Sequence, residues 1–116
     1  MQKIEKWRIQ ELAQVLNQMA TLLREGKNTE WANVFSHFTQ EANDISEKRE
    51  LELGSLARLI QNVINCFDGG SSLRNLILSH EDSKRMAKLN QEFSRRRKLL
   101  SEILADMEEK RAEPIN

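Results

Sequence analysis

Cys66-Phe67-Asp68-Gly69-Gly70-Ser71-Ser72-Leu73 divides the chain near its middle, where an apolar-periodic segment stops at two glycines and two serines open another. It holds the only Gly-Gly pair in 116 residues, set between Phe67 and Leu73, two side chains that favour burial. The reading predicts a turn packed against the core. Its backbone N–H and C=O groups then need partners, and Asp68, Ser71 and Ser72 carry side chains suited to supply them. Beyond this turn, glycine occurs only at Gly26 and Gly54 and proline only at Pro114. A multi-stranded sheet asks for turn residues every eight to twelve positions or so, and this chain does not have them. The fold class expected is all-α.

Working back from the turn, Leu53, Leu56, Ile60, Val63, Ile64 and Phe67 repeat at helical spacing, with Leu59 alongside, and predict a helix over 47–67. Gly54 inside it costs about 1 kcal/mol relative to alanine, which suggests a close helix crossing there. Further back, Trp31, Val34, Phe35, Phe38 and Ala42 predict a helix capped by Asn28 or Thr29, with Glu30 well placed against the helix dipole. Residues 42–48 break that rhythm and offer Asp44 and Ser46 as caps for the next helix. The first helix, over 3–25, rests on Ile9, Leu12, Leu16, Met19 and Leu23, widened by Val15 and Leu22. Gly26 follows where a left-handed C-cap suits glycine. Ile4 and Trp7 fall in its first turns, free either to pack on the core or to meet a partner.

Working forward, Leu73-Arg74-Asn75-Leu76-Ile77-Leu78 predicts a short helix buried on most sides. Ser79 and Asp82 then resemble a capping box for a last helix over 80–109, along which Met86, Leu89, Phe93, Leu100, Leu104 and Met107 form the apolar stripe. Between Phe93 and Leu100 the stripe passes through Arg96 or Arg97. The expected architecture is a compact antiparallel bundle of four main helices plus one short helix after the Gly-Gly turn. Its single helical domain spans 1–110, with a disordered tail over 111–116.

Basic and acidic residues balance, 18 against 18, so the chain lacks the positive surplus of a nonspecific nucleic-acid binder. One cysteine makes no internal disulfide and suits a reducing cytoplasm. No apolar run reaches the length of a membrane span, and the N-terminal stretch is charged and amphipathic, unlike a signal peptide. The expected localisation is cytoplasmic. His37, His80 and Cys66 are scattered without metal-ligand spacing, and neither histidine stands near Cys66 in sequence. The Gly-Gly turn lacks the lysine and the strand context of a phosphate loop. No catalytic residue, metal or cofactor is therefore expected, and the chain is read as a non-enzyme. Arg95-Arg96-Arg97-Lys98 is the one basic run. On a helix these residues spread around the axis, giving a solvated face paired with Glu92 and Glu102 and one arginine reaching a carboxylate, or else a partner or phosphate contact.

Leu22-Leu23, Gly26, Trp31-Ala32 and Phe35, then Phe67 through Leu78, then Asn90-Gln91-Glu92-Phe93 resemble a family of small uncharacterised bacterial proteins. Its hallmark is a Trp-Ala helix start and a Phe-Gly-Gly-Met-Gly-Ser-Leu-Asn-Asp-type turn, and the likeness covers about residues 10–107. The chain departs from it at Asp68-Gly69-Gly70-Ser71-Ser72 and at Arg74-Asn75, which replaces an Asn-Asp pair. Proteins of this kind often act as antitoxin or immunity partners in toxin-mediated competition. What the resemblance implies is a bacterial immunity protein that binds and neutralises a toxin domain. Candidate contacts are acidic Glu41, Asp44, Glu47 and Glu50 if the toxin is a basic nuclease, and otherwise Arg95, Arg96 and Lys98. The alternatives are a homodimeric regulatory or scaffold protein pairing through the last helix, and a weak nucleic-acid binder using Arg95 to Lys98.

Overall fold

Because Ile9, Leu12, Leu16, Met19 and Leu23 recur three or four residues apart, the first helix carries an apolar stripe along its whole length, and all five are wholly buried. The computed structural model describes residues 4–68 and 73–112. Among these it has four α-helices, α1 (Lys6–Glu25), α2 (Thr29–Glu47), α3 (Leu53–Asn65) and α4 (Ser83–Ala112), and a 3-10 turn at Leu73–Asn75 between α3 and α4. There is no strand among the described residues, and no helix is long and apolar enough to cross a membrane. The protein is an all-α bundle.

The bundle is organised around α1, which packs against both α2 and α4, while α3 contacts α2 and α4. Two ion pairs set α1 and α4 antiparallel. Arg8 Nε donates to Asp106 Oδ2 (3.1 Å) at one end, and Arg85 donates from Nε and Nη2 to the two Glu25 oxygens (both 2.6 Å) at the other. The connection from α1 to α2 is short, and Asn28 caps α2 by accepting a hydrogen bond from Trp31 N (3.3 Å). Phe35 stacks edge-on against Trp31 and Phe38. Phe35 and Leu73 lie in the core, and Trp31 and Phe67 are half-buried against it.

Several local expectations are corrected. Gly26 has φ −81°, and the left-handed residue is Lys27 (φ 63°). Gly26 is instead a contact point: a Cβ built there would stand 2.8 Å from Leu78 Cβ. At Gly54, where a close crossing was expected, nothing lies within 4 Å of such a Cβ. The 42–48 stretch does not end α2, which runs on to Glu47. Ala42, Ile45 and Ser46 are buried, and Ser46 Oγ donates to Asn43 O (3.0 Å) rather than capping α3. Consequently α3 begins at Leu53, later than 47. Leu53 itself is 54% exposed, and Val34 also turns out to solvent.

The first helix starts at Lys6, so Ile4 is buried ahead of it while Trp7 is exposed. The segment after the Gly-Gly turn is a single 3-10 turn followed by extended chain, with Leu73 and Leu78 buried and Ile77 77% exposed. Alternating burial suits extended backbone, which a helix of six residues would not give. Asp82, not Ser79, caps α4: its carboxylate accepts from Lys84 N (3.0 Å) and its carbonyl from Met86 N (2.8 Å). The last helix runs from Ser83 through Ala112, where 80–109 was expected, and 113–116 lie outside the described residues. So do Gly69, Gly70, Ser71 and Ser72, with the capping roles read for the two serines; the flanks of that turn are joined by Leu73 N donating to Cys66 O (2.9 Å).

Candidate functional site

Asn90, Phe93 and Arg97 fall three and four residues apart and share one face of α4, which lies against the Leu73–Leu78 segment. Phe93 is wholly buried. Above it, the Asn90 amide behaves like one residue of a strand. Its Oδ1 accepts from Leu78 N (2.7 Å) and its Nδ2 donates to Leu78 O (2.9 Å), so both polar backbone groups of that buried residue are satisfied. Below it, Arg97 Nη1 donates to Leu73 O (2.7 Å) and Arg74 O (2.8 Å), with a longer contact to Leu76 O (3.4 Å). The guanidinium also lies over the Phe93 ring, 4.9 Å from its centroid.

Arg97 therefore occupies an apolar register position because its partners are main-chain carbonyls, where sequence reading expected a carboxylate. Burial without a carboxylate pushes its pKa down from the ordinary arginine value.

Beside this clasp runs an open groove of about 300 Å³, lined by Phe67, Arg74, Ser94, Arg97, Lys98 and Ser101. Of the basic residues marked as partner contacts, the groove takes Lys98 and leaves Arg95 and Arg96 elsewhere on α4. Arg95 and Lys98 are exposed, Arg96 is half-buried, and none of the three forms an ion pair among the described residues. The expected pairing with Glu92 and Glu102 is absent from these ion pairs.

The acidic candidates lie at the α2–α3 corner. A smaller groove of about 190 Å³ brings Glu41, Asp44, Ile45, Lys48, Ser55 and Arg58 together. Glu41 is half-buried, with His37 Nε2 2.7 Å from its carboxylate. Asp44, Glu47 and Glu50 are exposed and have no ion-pair partner among the described residues. Lys48 is engaged by Glu52 (3.0 Å), whose carboxyl is held below its usual range by hydrogen bonds from Lys48 and Ser55. The corner thus mixes signs: Asp44 lines the groove, and Glu47 and Glu50 stand exposed at the end of α2 and in the connection to α3.

Cys66 is half-buried, its Sγ donates to Asn62 O (3.3 Å), and burial pushes its thiol up. Such a thiol carries little thiolate near neutrality and is a poor nucleophile. Among the described residues no group of three His, Cys, Asp or Glu could hold a metal ion. Arg97 was legible as the break in the α4 stripe. Arg74, Ser94 and Ser101 carried no signal, since only the docking of residues 73–78 on α4 brings Arg74 to Lys98.

Comparison with protein-family models, with characterised proteins and with solved structures returned no match.

Proposed function

We propose that the chain is a non-enzymatic protein-binding protein, an immunity protein that occludes a basic toxin domain with its α2–α3 corner. The observation that carries this reading is the arrangement of that corner: exposed Leu53 follows three exposed carboxylates, Asp44, Glu47 and Glu50, that have no ion-pair partner among the described residues. An exposed leucine supplies apolar area that a partner can desolvate, and charges around it steer encounter and reject partners of the wrong sign. A nuclease domain must attract phosphate, so its surface is positive and complements these carboxylates.

The test is co-expression with the product of the adjacent reading frame, scored for rescue of growth and for co-purification. Replacing Asp44, Glu47 and Glu50 together by lysine is expected to abolish both readouts. Replacing Arg95, Arg96 and Lys98 by glutamine is expected to leave them intact. If the parent protein neither rescues nor co-purifies, the immunity reading is wrong.

A further inference from the structure

The groove along α4 is a second site, separate from the α2–α3 corner. It lies beyond the C-terminal end of α3 and the corner lies at its N-terminal end; thirteen residues of helix put roughly 20 Å between them. Ser94, Arg97, Lys98 and Ser101 have the spacing i, i+3, i+4 and i+7, so one face of α4 presents two hydroxyls and two cations to the groove. Arg74 enters from the 3-10 turn opposite. No carboxylate is among the described lining residues. Arg74 and Lys98 are exposed and make no ion pair or side-chain hydrogen bond among the described residues.

Arg97 is held differently. Its Nη1 is anchored by backbone carbonyls, while its Nε and Nη2 donate to nothing among the described residues. An anchored guanidinium loses little freedom on meeting a ligand, and its remaining donors match a planar pair of oxyanion oxygens.

We propose that this groove binds a phosphate group, either free or as the monoester of a small molecule. Three cations and two hydroxyls exceed what the two oxygens of a carboxylate can accept, whereas a phosphate has enough oxygens to use them. The volume sits at the small end of ligand sites and accommodates a phosphate with a small organic group beside Phe67, not a folded polymer. Burial that lowers the Arg97 pKa works in the same direction, because an anion beside the guanidinium favours its charged form.

The test is an NMR titration of the whole chain at low, constant ionic strength, following backbone amides and the arginine Nε–H groups. The probes are inorganic phosphate, a nucleoside monophosphate and a single-stranded oligonucleotide. Saturable shifts in the millimolar range or tighter are expected at Arg74, Ser94, Lys98 and the Arg97 Nε–H. Arg74→Gln and Lys98→Gln should each weaken binding about tenfold, and the Arg95→Gln/Arg96→Gln double variant should bind within about twofold of the parent. Arg74 and Lys98 make no ion pair or side-chain hydrogen bond among the described residues, and the same spectra verify that each variant is folded.

A monophosphate that binds more tightly than inorganic phosphate identifies the monoester as the ligand, and equal affinity identifies free phosphate. Three results overturn the proposal: no saturation at tens of millimolar, equal weakening in the Arg95/Arg96 variant, or oligonucleotide affinity that grows with length and draws on all the cations alike. Because the Asp44, Glu47 and Glu50 variant retains this groove, loss of toxin binding and loss of phosphate binding are separable.

Discussion

Alanine at Gly26 and alanine at Gly54 should move stability in opposite directions. Removing a glycine lowers the entropy of the unfolded chain, a gain of about 0.4–1 kcal/mol wherever the native backbone accepts alanine. Both positions have backbone that accepts it: Gly26 has φ −81°, and Gly54 is helical with no left-handed φ. The difference lies in what the new methyl meets. At Gly26 it comes within 2.8 Å of Leu78 Cβ and 3.1 Å of Leu78 Cγ and Cδ2.

A Cβ cannot swing away by changing rotamer; the backbone of Leu78 must move, and the Asn90 amide holds that backbone from both sides. Overpacking of this kind costs about 1–3 kcal/mol, which outweighs the entropic gain and leaves a net loss of about 1–2 kcal/mol. At Gly54 the methyl meets nothing within 4 Å, so the gain stands alone.

For a domain of this size the two changes correspond to a fall in Tm of roughly 4–8 °C and a rise of a few degrees. Urea unfolding should show shifted midpoints with an unchanged m-value. A third variant, Lys27→Gly, should gain up to about 1 kcal/mol because Lys27 holds the left-handed conformation that glycine tolerates better, less what the lost exposed pair with Glu81 contributed. The penalty at Gly26 should also shrink in an Asn90→Ala background, where residue 78 is free to yield. If Gly26→Ala matches or exceeds the parent, the contact between this turn and Leu78 is not as described and the reasoning fails.

The clasp on α4 makes its own predictions. Asn90→Ala should cost about 1–3 kcal/mol and sharply accelerate hydrogen exchange at the Leu78 amide; slow exchange there in a folded variant contradicts the pairing. Arg97→Met should cost about 2–3 kcal/mol, since the Leu73 and Arg74 carbonyls lose charged donors, and a loss below about 0.5 kcal/mol would show those bonds to be dispensable. The hydrogen bond from Lys27 lowers the Glu81 carboxyl below its ordinary value of 4.5, so its contribution to stability is present above that pH and is lost as pH falls through the folded value. An NMR titration should find the Glu81 midpoint below 4.5, and Lys27→Met should return it toward that value; an unmoved midpoint refutes the pair. Burial raises the Cys66 thiol, so its alkylation rate should titrate with a midpoint above 9.0, and a midpoint at or below it refutes the half-buried placement.

Helix periodicity is a local property, because residues three and four apart share a face whatever lies opposite. The chain of residues alone therefore determined that the protein is all-α, where the stripes of α1 and α4 run, and that an arginine interrupts the second of them. It misread Gly26 and Gly54 for one shared reason: a glycine states only that a side chain is missing, and whether the cause is dihedral angle or close contact depends on what docks there. Asp44 and Ser46 look like caps in isolation, but burial of Ala42 and Ile45 carries α2 past them. Only the tertiary structure decided that Arg97 is satisfied by carbonyls of residues 73–76 and that Arg74 lies across a groove from Lys98. Backbone carbonyls are the same in every residue, so no sequence pattern marks which of them an arginine will find, and the docking of one segment on another makes that choice.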